Sequence, residues 1–147
     1  MGDTKAEALL HGHSYTAHPV GCVSSIHALD TYHELFKDQL DANKDSMIQH
    51  FDVEDVKRLS QLPLVQEAMA LGTVLAVTME PEGSEGSGYA AASRSIPIVK
   101  KLFEEGVYAR PLGNVVYIMV SPLTSKEVCS KLCKTLASAI GSVIQKQ

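Results

Sequence analysis

The 147-residue sequence has no tryptophan, and aromatic side chains make up only 5% of it. It has no basic excess either: 13 Lys and Arg stand against 17 Asp and Glu, a formal net charge of -4. Nucleic-acid binding needs clustered cations to neutralise phosphates, so that class is excluded. No apolar run approaches the roughly 20 residues that cross a bilayer, so no helical membrane span is predicted. Ala6 stands where a myristoylation signal carries Ser or Thr, although the chain opens Met1-Gly2. The first residues have neither the apolar core of a secretory signal nor an Arg-rich transit character, so the chain is predicted to be intracellular. A Walker loop, a dinucleotide fingerprint, a CxxC pair and an internal repeat are all missing.

Cysteine is sparse and odd in number: Cys22, Cys129 and Cys133. The last two are four apart in a helical pattern and share one face. Reduced thiols buried as small hydrophobes are predicted for these residues rather than a disulfide or a metal site.

What is present is globular. Hydrophobic residues form 45% and charged residues 20% of a 15.9 kDa chain, enough for one domain with a real core. Pro19 suits a first helical position, and Cys22, Ile26, Leu29, His33, Phe36 and Leu40 follow as one stripe of a long helix. His33 interrupts that stripe and is read as a hydrogen-bonded core histidine. The polar run ANKDS ends the helix, and Asp52 is placed as N-cap of a short helix over Val53 to Leu59. The apolar, β-branched run Leu71 to Glu80 is predicted as one strand covered on both faces. Pro81 to Gly88 reads as a surface loop, and Ile98 to Glu105 as a helix stopped by Gly106.

In VYARPLGNVVYIMV two strand-like runs flank Gly113-Asn114, a pair suited to a two-residue hairpin turn. That turn would set Leu112 opposite Val115, Pro111 opposite Val116, and Arg110 opposite Tyr117. Tyr108 would share the face of Arg110 and is read as packing. Pro111 cannot donate to a ladder, which predicts that its N-side faces an edge or an irregularity. Thr124 and Glu127 form a capping box before a final amphipathic helix through Cys129, Leu132, Leu136, Ile140 and Val143. The expected fold is therefore α+β: a small, mostly antiparallel sheet with helices packed on it, preceded by a long helix.

Two segments are candidates for chemistry. LLHGHSYTAHPVGC, Leu9 to Cys22, concentrates hydrogen-bonding side chains just before the long helix. His11, His13 and His18 could be taken for a metal cluster, although no carboxylate or cysteine stands nearby at a ligand spacing. Gly12 and Ser14 could cradle a phosphate, with backbone N–H groups open to an anion. The same residues also suit an ordinary loop with a helix cap. Arg110 is either a surface side chain or a fork of donors for a carboxylate, beside phenolic hydroxyls.

LLHGHSYTAHPVGC and GVYARPLGNVVYIM resemble two motifs of class III, pyridoxal-phosphate-dependent aminotransferases, on the C-terminal side of the cofactor lysine. The first is similar to HG-x-[ST]-[FY]-x-x-[NH]-P-x-[AG]-C, the second to G-[VIW]-x-x-R-P-x-G-x-x-[IV]-Y-x-M. The likeness is strongest to the biotin-synthesis branch, in the eukaryotic form fused to a synthetase, and runs over nearly the whole chain. It implies the C-terminal small domain of a fold-type-I transferase over residues 19–147, with residues 1–18 as a segment crossing to a second subunit. Gly12, His13 and Ser14 would then contact the phosphate of pyridoxal phosphate held in the partner subunit. His13 departs from the Pro often found there. Arg110 would bind the carboxylate of a keto-acid substrate beside Tyr117, with adenosylmethionine as amino donor and a homodimer as the assembly. Mitochondrial placement is implied by the same likeness. The Schiff-base lysine and its large domain would be absent from this chain, which predicts that it does not transaminate alone. The competing expectation is a truncated, non-catalytic domain acting as a binding or interaction module.

Overall fold

A computed structural model of the chain describes residues 15–42, 47–81 and 94–144. The chain divides into two compact units, Met1–Lys44 and Asp45–Gln147.

The described part of the first unit is a turn and one helix. The His18 amide donates to the Tyr15 carbonyl at 3.1 Å, closing a turn in which Ala17 takes φ 59°. A left-handed conformation costs a residue with a Cβ about 1–2 kcal/mol, so this turn is strained. Pro19 then opens α1 (Pro19–Ala42), as predicted. The hydroxyls of Ser25 and Thr31 donate to the carbonyls of Gly21 and His27, four residues back. The predicted stripe does exist on one side of the helix, but Cys22, Ile26, Leu29 and His33 are exposed and Phe36 is half-buried. His33 is therefore not a core histidine, and Cys22 is not a buried thiol. The reason is that the described part of this unit contains no second layer for the stripe to pack on.

In the second unit, Asp52 caps α2 (Val53–Ser60): its carboxylate accepts the Glu54 amide at 2.8 Å. The sheet follows, with β1 (Val65–Leu71), β2 (Val74–Met79), β3 (Arg110–Leu112) and β4 (Val115–Met119) in the order β1-β2-β4-β3, every pair antiparallel. The run expected as one strand over Leu71 to Glu80 is instead a hairpin. Leu71 ends β1, Gly72 turns at φ 56°, and Val74 begins β2. Only one face of β2 is fully covered: Leu75, Val77 and Met79 are buried, whereas Val74, Ala76 and Thr78 are half-buried. β1 had no strand signal of its own, because VQEAMAL is built of good helix formers whose propensity is overridden by pairing with β2.

The covered face forms the core. Leu75, Val77, Met79, Val116 and Ile118 from the sheet meet Leu59 of α2, Ile98 and Leu102 of α3 (Ser95–Glu104), and Cys129, Leu136 and Ile140 of α4 (Lys126–Ile144). Gly106, at φ 78°, follows α3 as the predicted stop. The cap of α4 is one residue later than expected. The Ser125 hydroxyl accepts the Val128 amide at 3.4 Å, while Thr124 belongs to the preceding turn through its amide bond to the Ser121 carbonyl. Adjacent hydroxyl residues satisfy the same cap chemistry, and the turn decides between them. The result is the α+β arrangement the sequence predicts, with helices on one side of an antiparallel sheet.

Candidate functional site

The site is built on the β3–β4 hairpin. Gly113 has φ 59° and Asn114 does not share the positive φ, the pattern of a type II′ turn. Three hydrogen bonds fix this turn to the rest of the sheet and to α3. The Asn114 side-chain amide donates to the Met79 carbonyl at 2.8 Å, the Met79 amide donates to the Asn114 carbonyl at 2.8 Å, and the Ser95 hydroxyl donates to the Gly113 carbonyl. Asn114 and Ser95 are both buried, so these bonds are shielded from competing water.

With the turn fixed, register follows. Leu112 pairs with Val115, Pro111 with Val116 and Arg110 with Tyr117, each as the sequence predicts. β3 lies at the sheet edge, where the missing N–H of Pro111 costs no ladder bond. Arg110 and Tyr117 lie on the sheet face opposite the core. Together with Tyr108 and Met119 they line a shallow pocket of about 150 Å³. Tyr108 is 75% exposed and so does not pack as expected. Met119 was not singled out in the sequence, yet the two-residue period that gives Tyr117 its face gives Met119 the same one.

Arg110 takes part in none of the ion pairs among the described residues, which are Lys57–Glu54, Arg58–Asp55 and Lys101 with Glu104 and Glu105. Its five donors are thus available at the mouth of a pocket walled by a phenol, a second phenol and a thioether. A planar cation with paired N–H groups beside hydroxyls suits the two oxygens of a carboxylate.

Other chemistry-bearing residues are set elsewhere. Gly12, His13 and Ser14, together with His11, lie outside the described residues. His18 is described, in edge-on contact with Tyr15 at 6.4 Å between ring centres. Among the described residues no three His, Cys, Asp or Glu come together as a metal site. Cys129 and Cys133 are buried and free, as expected. Burial raises both thiols, Cys133 to about 12 with the Asp55 carboxylate adding to the effect, so neither is a thiolate nucleophile near neutral pH. A larger cavity of about 360 Å³ lies between α2 and β1, lined by Phe51, Val56, Ala68 and Ala70 among others. Its one cation, Lys57, is already paired with Glu54 at 2.8 Å.

No family model matches the chain. The chain is 40% identical over 130 residues to the mitochondrial bifunctional dethiobiotin synthetase/7,8-diamino-pelargonic acid aminotransferase of Oryza sativa subsp. japonica, covering 88% of this chain and 16% of that protein. It is 37% identical over 146 residues to the Arabidopsis thaliana protein of the same name, covering 95% and 17%. The fold matches the crystal structure of adenosylmethionine-8-amino-7-oxononanoate aminotransferase from Methanocaldococcus jannaschii with a TM-score of 0.58 at 20% identity, over 97% of this chain and 32% of that one. The chain therefore spans about one sixth of the length of the plant relatives. No helix among the described residues is long and apolar enough to cross a membrane.

Proposed function

We infer that this chain, which belongs to the class III aminotransferase family, supplies the C-terminal part of a biotin-synthesis aminotransferase. The reaction would convert 8-amino-7-oxononanoate to 7,8-diaminononanoate, with adenosylmethionine giving the amino group. The observation that carries the reading is the pairing of Arg110 with Tyr117 across a turn held by Asn114 and Ser95. That frame fixes the backbone of Arg110 on a sheet face, from which its guanidinium would take the carboxylate of the oxo acid and so orient its far end.

The cofactor is pyridoxal phosphate, which when bound supplies the electron sink that amino transfer needs. Its phosphate falls to Gly12, His13 and Ser14, a glycine-containing segment with main-chain and hydroxyl donors suited to an anion. Residues 1–18 act as a segment crossing to a second subunit of a homodimer, and residues 19–147 as the small domain. The lysine that holds the cofactor comes from sequence outside residues 1–147, on the same polypeptide or another. The compartment is the mitochondrion, as the names of the plant relatives suggest.

The test is reconstitution. Mixed with a large domain that carries the lysine, the chain should yield a cofactor absorbance band, and the oxo acid should bind. Gly12→Ala with Ser14→Ala should weaken cofactor retention and leave oxo-acid binding to the Arg110 site intact. An Arg110→Ala protein whose oxo-acid affinity equals that of the unaltered protein would refute the assignment.

A further inference from the structure

We propose that Tyr108 and Met119 select the substrate by chain length, forming an apolar clamp on the methylenes next to the carboxylate that Arg110 holds. This rests on the reading of Arg110 given above and adds to it a specificity determinant. The register sets the geometry. Arg110 faces Tyr117 at the last pair of the β3–β4 ladder, and Tyr108, two residues before β3 begins, lines the same pocket as Met119. The four side chains border one pocket, with Arg110 and Tyr117 as an inner, paired couple and Tyr108 and Met119 as an outer one. The inner pair offers the charge and a hydroxyl. The outer pair offers a ring and a flexible thioether, and both are large apolar groups left exposed.

A carboxylate taken by Arg110 must send its remaining atoms somewhere. Tyr117 is flanked on β2 by Ala76, whose methyl group leaves the sheet surface low on that side. Tyr108 and Met119, both largely exposed, form walls of the pocket that Arg110 also lines. A short oxo acid would place a polar carbonyl against these walls, losing its hydrogen bonds to water with nothing in return. A long one places methylenes there and carries its carbonyl beyond them. The oxononanoate in the name of the Methanocaldococcus jannaschii protein has its oxo group at position 7 and so is of the second kind. Met119 suits this task because an unbranched thioether adapts to an alkyl chain without a fixed shape of its own.

The experiment titrates the isotope-labelled full chain with acetate, butyrate, hexanoate and octanoate, following the Arg110 side-chain resonance. Full burial of one methylene corresponds to about fourfold in affinity, and a pocket covering one side of the chain to about twofold. Affinity should therefore rise along the series in the unaltered protein and stay flat in a Tyr108→Ala, Met119→Ala double variant. Tyr108→Phe should keep the rise, since the ring and not the hydroxyl makes the wall. Equal slopes in the unaltered and double-variant proteins would overturn the clamp alone. If acetate leaves Arg110 undisturbed in the unaltered protein, the carboxylate reading falls, and the clamp falls with it.

Discussion

Arg110→Ala removes a guanidinium that is exposed and joins none of the ion pairs of the described residues. Folding stability should then move by no more than about 0.5 kcal/mol, the usual range for surface positions without a special role. Binding should respond differently in two settings. In the chain by itself the pocket is open to water, and an exposed ion pair is worth about 0.2–1 kcal/mol, so acetate affinity should fall by no more than about fivefold. In an assembled enzyme that excludes water from the same pocket, truncating one partner of a buried charge pair costs about 2–5 kcal/mol. Oxo-acid affinity should therefore fall by a factor between about 30 and a few thousand. Calorimetric titration of the chain alone and of the assembled enzyme, with thermal melts of Arg110→Ala beside the unaltered protein, measures all three quantities. Arg110→Lys should recover only part of the loss, because a point charge cannot bridge two carboxylate oxygens. The reasoning fails if the loss is as small in the assembled enzyme as in the chain alone, or if the melting temperature falls as steeply as the affinity.

Asn114→Ala removes a buried donor to the Met79 carbonyl and should cost about 1–3 kcal/mol, seen as a lower melting temperature with loosened exchange protection through β3 and β4. Cys133 gives a pH signature. Its folded thiol holds its proton up to about pH 12, against an ordinary value of 9.0, so above pH 9 the unfolded state ionises first. Stability should be unaffected below pH 9 and fall as pH rises toward 12, by up to about 1.4 kcal/mol per pH unit. A Cys133→Val variant should lose that part of the slope in denaturant melts; an unchanged slope would refute the assignment. The sheet face opposite the core exposes Met69, Leu71, Leu112 and Met119, a patch of the kind that drives association. The chain alone should self-associate at tens of micromolar, and a single monomeric boundary in sedimentation would contradict this.

Much of this was legible in the sequence because short-range chemistry wrote it. Gly113-Asn114 specifies a turn, and a turn specifies register, so Arg110 opposite Tyr117 followed without any long-range information. The Asp52 cap and the stripe of α4 were legible on the same grounds. The β1–β2 hairpin was not, because Gly72-Thr73 sits inside an apolar run and β1 owes its form to its neighbour. His33 and Cys22 failed for a related reason: a stripe gives the side of a helix that can be buried, not whether anything in the described unit buries it. Tyr108 and Met119 show the limit at the site itself. Their face was derivable from period two, but their joint exposure around a cation needed coordinates.

The two borders of the sheet differ in what they would admit. Along the three-residue border, Pro111 denies any incoming strand a continuous row of donors, so the rim that bears the guanidinium resists being zipped shut by a neighbour. The seven-residue border carries no proline, and a bulge between Val65 and Glu67 interrupts it only near its start. Should copies of this chain stack edge to edge, growth would begin at Val65–Leu71 and leave the rim that bears Arg110 free for solutes.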